Sequence, residues 1–173
     1  MPAGTTQQPA ERLLKLRAED SEDMAIIAAC LQDAVVARRD MTYLTRQRRF
    51  AMVMSRYCWE DDVASQRQRR GGGLLGRGRR IRSGLHIDGV MKVDTLGLPA
   101  GEAAEALSLL TIAVEPGEDA SATLLLMFAG GGIVRLAVEC IECRLADIGP
   151  SWPTPRQPRH SLDETPPARR GLS

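Results

Sequence analysis

Aromatic residues are scarce in this chain. With two Trp, two Tyr and two Phe among 173 residues, it offers few of the rings on which single-stranded nucleic-acid binders stack bases. Histidine is as rare: His160 stands in a proline-rich tail, so His86 alone is available to the body of the protein, and no histidine cluster suggests a metal. No apolar run approaches the length needed to cross a bilayer; the longest cover 24–31 and 124–129. No basic and apolar leader precedes the four cysteines, Cys30, Cys58, Cys140 and Cys143. Reduced thiols in a soluble cytoplasmic protein are therefore expected, with no metal and no cofactor. A formal net charge of +1 removes any global electrostatic case for a nucleic-acid or membrane-surface protein.

What the chain does have is uneven. Residues 1–10 and 150–173 are poor in apolar periodicity and rich in proline and polar residues, the composition of termini that cannot offset the entropy of ordering. Between them, residues 11–149 suffice for a single hydrophobic core. Within that body, Arg67, Arg69, Arg70, Arg77, Arg79, Arg80 and Arg82 cluster around six glycines in RQRRGGGLLGRGRRIRSG. The remainder of the chain is correspondingly acidic.

The coarse pattern is mainly strand. Leu13, Leu14 and Leu16 suggest a short first strand. Asp20 or Ser21 then caps a helix whose Met24, Ile27, Leu31 and Val35 recur at helical spacing. A hairpin around 46–48 leads into a strand with Phe50, Met52 and Met54 on one face. A long strand bending at Gly89 follows, then one or two helical turns at 101–107, a strand at 108–116, and two apolar runs joined by Gly130-Gly131-Gly132 as a hairpin. The sum is an α+β fold: a mainly antiparallel sheet of six or seven strands packed on one N-terminal helix, free to curl into a partly closed barrel.

Chemical motifs are weak. Residues 71–76 satisfy GxGxxG, but no strand precedes and no helix follows, so a dinucleotide site is excluded; Arg77 and Gly78 stand where a phosphate loop needs Lys and a hydroxyl. The arginine–glycine segment at 61–80 reads first as a flexible connection and second as a contact for RNA or another polyanion, through Arg67 to Arg82. Cys140 and Cys143 form a CxxC that falls in a strand pattern, where residues three apart face opposite ways, so packing cysteines are the simpler reading. His86 and Asp88 can share a strand face as an acid–base pair if Ser55, Ser83 or Cys58 lies near; packing of Leu85 and Ile87 beneath them is the plainer account. Arg56, Arg135, Glu139 and Glu142 suit cross-strand ion pairs. A ligand barrel or hydrolase built on Arg56, His86 and Asp88 is a third reading.

The blocks LLKLRAEDSEDMAIIAACLQDAVV, MTYLTRQRRFAMVMSRYCWE, RIRSGLHIDGVMKV and LMFAGGGIVRLAVECIECRLADIGPSWPTPRQPRH resemble a bacterial family known as domain of unknown function 2948. The resemblance implies a complete small domain and no transferable catalytic residue. It also implies that Trp152 and Pro153, inside the matching blocks, pack back on the body. The leading expectation is a non-catalytic binding or interaction module, with another protein or a polyanion as partner and no membrane.

Overall fold

The computed structural model describes residues 13–61, 78–99 and 106–155. Among them, helix α1 and ten strands follow one another in the order β1 (Lys15–Ala18), α1 (Ser21–Leu31), β2 (Ala34–Val36), β3 (Met41–Leu44), β4 (Arg49–Tyr57), β5 (Arg79–Ile87), β6 (Val90–Leu96), β7 (Leu107–Pro116), β8 (Ala122–Phe128), β9 (Ile133–Val138) and β10 (Cys143–Pro153), and residues 59–61 after β4 are helical. All strands join one antiparallel sheet with the order β1-β10-β5-β4-β2-β7-β8-β9-β6, and β3 pairs with β4 beside β2. The sheet curls but does not close.

The expected six or seven strands become ten for three reasons. The long strand through Gly89 is two strands with different neighbours: β5 lies between β4 and β10, and β6 pairs with β9. Gly89 makes that corner at φ +68°, a left-handed conformation open to glycine at little cost. The helix was expected to run through Val35, but it ends at Leu31. Asp33, at φ 59°, reverses the chain and donates its amide to Leu109 O, and Ala34–Val36 then joins the sheet as β2. Finally, the run after the glycine hairpin, expected as one strand, breaks at 139–142 into β9 and β10, and β10 continues to Pro153, through residues assigned to the tail.

Asp20 caps α1, accepting the Asp23 amide at 2.8 Å, with Glu22 and Asp23 placed favourably in the first turn. Met24, Ile27, Ala28 and Leu31 are buried, but Ile26, expected to widen the apolar arc, is 56% exposed. The core gathers these residues with the inward faces of both halves of the sheet. Phe50, Met52, Met54, Leu85, Ile87 and Leu145 come from one half; Leu109, Leu124, Leu126, Phe128, Val134 and Leu136 come from the other. The Gly89 corner holds the halves together. Val90 N bonds to Arg48 O at 2.8 Å, Tyr43 Oη donates to Val90 O at 2.9 Å, and Glu139 N bonds to Gly89 O at 3.0 Å.

No helix among the described residues is long and apolar enough to cross a membrane. Most of the helical turns expected at 101–107 and most of the arginine–glycine segment fall outside the described residues; Leu107, the last residue of those turns, instead opens β7.

Gly89→Ala should cost about 1–2 kcal/mol, the penalty of a left-handed L-residue. Its Cβ would meet only ordinary contacts, 3.9 Å from Glu139. Urea denaturation measures the loss; an unchanged midpoint would mean the corner tolerates another backbone conformation.

Candidate functional site

On β4 the alternation that buries Phe50, Met52 and Met54 also sends Arg56 inward, where it is 0% exposed. A guanidinium cannot remain in such a place uncompensated. Asp147, facing inward from β10, takes Arg56 Nε and Nη2 in a bidentate pair at 2.8 and 2.8 Å. Glu60, one turn beyond β4, takes Nη1 at 3.0 Å and Nη2 at 2.6 Å, and Tyr57 O accepts Nη1 at 3.3 Å. The strand between β4 and β10 is β5, and there Ser83 is small enough to let the arginine reach across. Its Oγ donates to Asp147 Oδ1 at 2.7 Å. Leu14 N donates to Asp147 Oδ2 at 2.8 Å, drawing in the chain just before β1. Burial disfavours both charges, but the pairing prevails: it raises the Arg56 pKa, and with Ser83 and Leu14 it holds Asp147 below the ordinary carboxylate value.

The opposite face of the same strands is exposed or half-buried. Register places Val35, Ser55, Arg82 and Ile148 in one transverse row, and Val53, Gly84, Ala146 and Lys15 in the next. Val35, Asp40, Val53, Met54, Ser55, Arg82, Ile148, Pro150 and Trp152 line an open cleft of about 520 Å³ here. Its upper wall is a bulge in β10 between Ile148 and Trp152, opened by Gly149 at φ +75°. Arg79 clamps that bulge, donating Nε to Ser151 Oγ at 2.6 Å and Nη2 to Ser151 O at 3.0 Å. Trp152 and Ile148 are left 41% and 48% exposed beside Arg82.

The seven arginines singled out in the sequence therefore divide. Arg67, Arg69, Arg70 and Arg77 lie outside the described residues. Arg79 and Arg80 belong to β5 and not to a loop: Arg79 holds the bulge, and Arg80 donates to Ser55 O at 3.0 Å and to Asp33 O at 3.4 Å. Arg82 is exposed and makes no hydrogen bond or ion pair among the described residues.

His86 and Asp88 do come together, at 3.8 Å, beyond hydrogen-bond distance. Asp88 is instead held by Arg49 at 2.6 and 3.1 Å, which keeps its pKa low. Partial burial and the Arg49 charge depress that of His86. None of the three candidate nucleophiles is delivered to the pair. Ser83 faces inward onto Asp147. Burial pushes the Cys58 thiol up to about 12. Ser55 is on the outer face but four residues along β4 from the partner of His86, about 13 Å away. Arg56 and His86 occupy opposite faces of the sheet, so the set Arg56, His86 and Asp88 does not form one site.

Cys140 and Cys143 flank the turn between β9 and β10 and do not lie within one strand as expected. Cys140 is exposed, whereas Cys143 is buried, with its pKa pushed up to about 12. Among the other expected ion pairs, Arg48 meets Glu139 at 2.8 Å, and Glu142 lies 3.7 Å from both Arg17 and Arg144. The cleft escaped the sequence because it joins Val35, Arg82 and Trp152 through strand order and a bulge, neither of which has a local signature.

A family described as "Protein of unknown function (DUF2948)" matches residues 14–160. The chain belongs to that family. No curated protein and no solved structure matches it. The DUF2948 match takes in every strand described above, including the bulged end of β10 that walls the cleft.

Asp147→Asn keeps the shape but removes the counter-charge of Arg56, and should destabilise the fold by about 3 kcal/mol at neutral pH. Because the folded pKa of Asp147 lies below its ordinary 3.8, the charged pair stabilises above that value, and its contribution is lost as pH falls through the lower folded value. The gap between wild type and variant should close in that acid window. Urea melts at successive pH values test this, and a gap independent of pH would exclude the charge as its source.

Proposed function

We propose that this chain is a non-catalytic binding module whose ligand seat is the cleft on the outer face of β2, β4, β5 and β10. One observation carries the reading. The charged groups best suited to chemistry are engaged by partners, whereas Arg82, lining the cleft, has none among the described residues. Asp88 is spent on Arg49 and Asp147 on Arg56, Ser83 and Leu14. The thiols of Cys58 and Cys143, pushed up to about 12, stay protonated near neutrality. An unpaired guanidinium beside an exposed indole and isoleucine is a surface that gains from being covered: the apolar groups leave water and the charge acquires a counter-ion.

A screen of the full chain against neutral, carboxylate and phosphate compounds, read by thermal shift and amide NMR, tests the proposal. Hits are expected to move the amides of Val53, Ser55, Arg82 and Ile148, and to weaken by about tenfold, or 1.4 kcal/mol, in Ile148→Asp. Hits centred on His86 and Asp88, with ester turnover that disappears in His86→Ala, would make the chain an enzyme and overturn the reading.

A further inference from the structure

We infer that the occupant of the cleft is single-stranded nucleic acid, with a base stacked on the Trp152 indole and an adjoining phosphate on Arg82. This rests on the cleft being the ligand seat and adds what it holds. Sequence-tolerant single-strand binding combines cations that follow the backbone with an aromatic ring for the bases. The arginine-rich stretch contains no aromatic residue, but β-sheet register supplies one from a distance of seventy residues. Trp152 lies opposite Arg80 across the β5–β10 ladder and lines the cleft together with Arg82.

The exposure of that indole is built in. Gly149 and Pro150 open the bulge, Arg79 ties it down through both the hydroxyl and the carbonyl of Ser151, and Thr154 N bonds to Gly78 O at 2.7 Å beyond it. An exposed tryptophan on a chain segment anchored on both sides is a preorganised platform, so little ordering entropy opposes stacking. From Arg82 the face continues over Val53, Gly84 and Ala146, which are small and lie flat, to Lys15. That residue is two strands and one row away, about 12 Å. Lys15 is exposed and, like Arg82, unpartnered among the described residues. Two free cations separated by a smooth apolar strip fit a ligand with repeated phosphates better than one with a single charge. Asp40 is the carboxylate on the cleft. It stands on the β2 and β3 side of β4, away from Arg82, where it can accept a base amino group. Elsewhere on this face Glu142 is shared between Arg17 and Arg144, and Asp88 is held by Arg49.

The experiment is a titration of the full chain with fluorescein-labelled oligouridylate and oligothymidylate of about twelve nucleotides, within the range one compact domain covers. Anisotropy is recorded as salt rises from about 50 to 200 mM. Intrinsic fluorescence is followed in a Trp59→Phe background, where Trp152 is the remaining indole. Expected are salt-sensitive binding, quenching of Trp152, and losses of about tenfold in Trp152→Ala and in Arg82→Glu, with partial retention in Arg82→Lys and none of these effects in Lys92→Glu on β6. Circular dichroism melts verify that these surface variants fold. Absence of oligonucleotide binding, while a small phosphate compound still requires Arg82 and Ile148, would remove nucleic acid and leave the binding cleft standing. Loss of both would remove the two together. Uridine monophosphate competing as well as the oligomer would make the ligand a free nucleotide. Binding that survives Trp152→Ala and Arg82→Glu but vanishes on deleting 66–77 would assign it to the arginine–glycine segment. Either result overturns the inference.

Discussion

A guanidinium withdrawn wholly from water at Arg56 constrains everything around it. Burying such an ion costs several kcal/mol, and the cost is recovered only where every donor is met in good geometry. Here Nε, Nη1 and Nη2 all find acceptors, from Asp147, Glu60 and Tyr57 O. Those acceptors bring together β4, β10 and the turn after β4, while Ser83 and Leu14 add β5 and the entry to β1 through Asp147. A one-residue slip of β4 would turn Arg56 to the outer face and leave Asp147 and Ser83 buried without it. The network therefore penalises every wrong register of this half-sheet, more sharply than Met52 and Met54 could do through apolar packing alone.

With register set, the faces of β5 follow from alternation, and the roles of its basic residues from the acceptors within reach of each. Odd and even positions of β5 go to different environments. Ser83 and Leu85 face the core, and Arg82, Gly84 and His86 face outward. Arg79 and Arg80 at the start of the strand are drawn to backbone carbonyls of the bulge, of β4 and of the turn before β2. Among the described residues, the basic stretch is thus divided by the acceptors each side chain meets into Arg79 and Arg80, which hold the scaffold, and Arg82, which is left available. Counting charges along the chain could not separate them, because the distinction lies in which strand is the neighbour.

Much of the fold was legible where side-chain period and burial agree. Phe50, Met52 and Met54 alternate and are buried; Val134, Leu136 and Val138 do the same after the glycine hairpin; Asp20 caps α1. The errors have physical causes. Val35 continues the four-residue spacing of Leu31, so the helix pattern overran a reversal at Asp33 that rests on one backbone angle. A three-residue strand such as β2 is too short to display alternation. The end of β10 carries Pro150 and Pro153, which argue against a strand in the middle of a sheet. Yet β1 and the Leu14 before it cover β10 only as far as Asp147, so beyond that point β10 is an edge, where proline is tolerated. The cleft was illegible for the same reason: Trp152 reaches Arg82 only if that proline-bearing segment is a strand.

The same prolines bear on how the edges of the sheet are guarded. An open sheet offers its edges for strand addition, and proteins guard against it with short, charged or proline-bearing edges. Pro150 and Pro153 remove donors from the uncovered part of β10. β1 is four residues long with Lys15 and Arg17 exposed. At the other end, β6 carries the Lys92–Asp94 pair and has Val90 tied back to Arg48 and Tyr43. The edges at β10, β1 and β6 thus each have a feature that discourages pairing, whereas the outer face over Val53, Gly84 and Ala146 is smooth, small-residued and flanked by Arg82 and Lys15, which have no partner among the described residues. On the proposed reading, recognition would use the face of the sheet, through side chains and not through backbone pairing, and would suit an occupant that has no strand to offer.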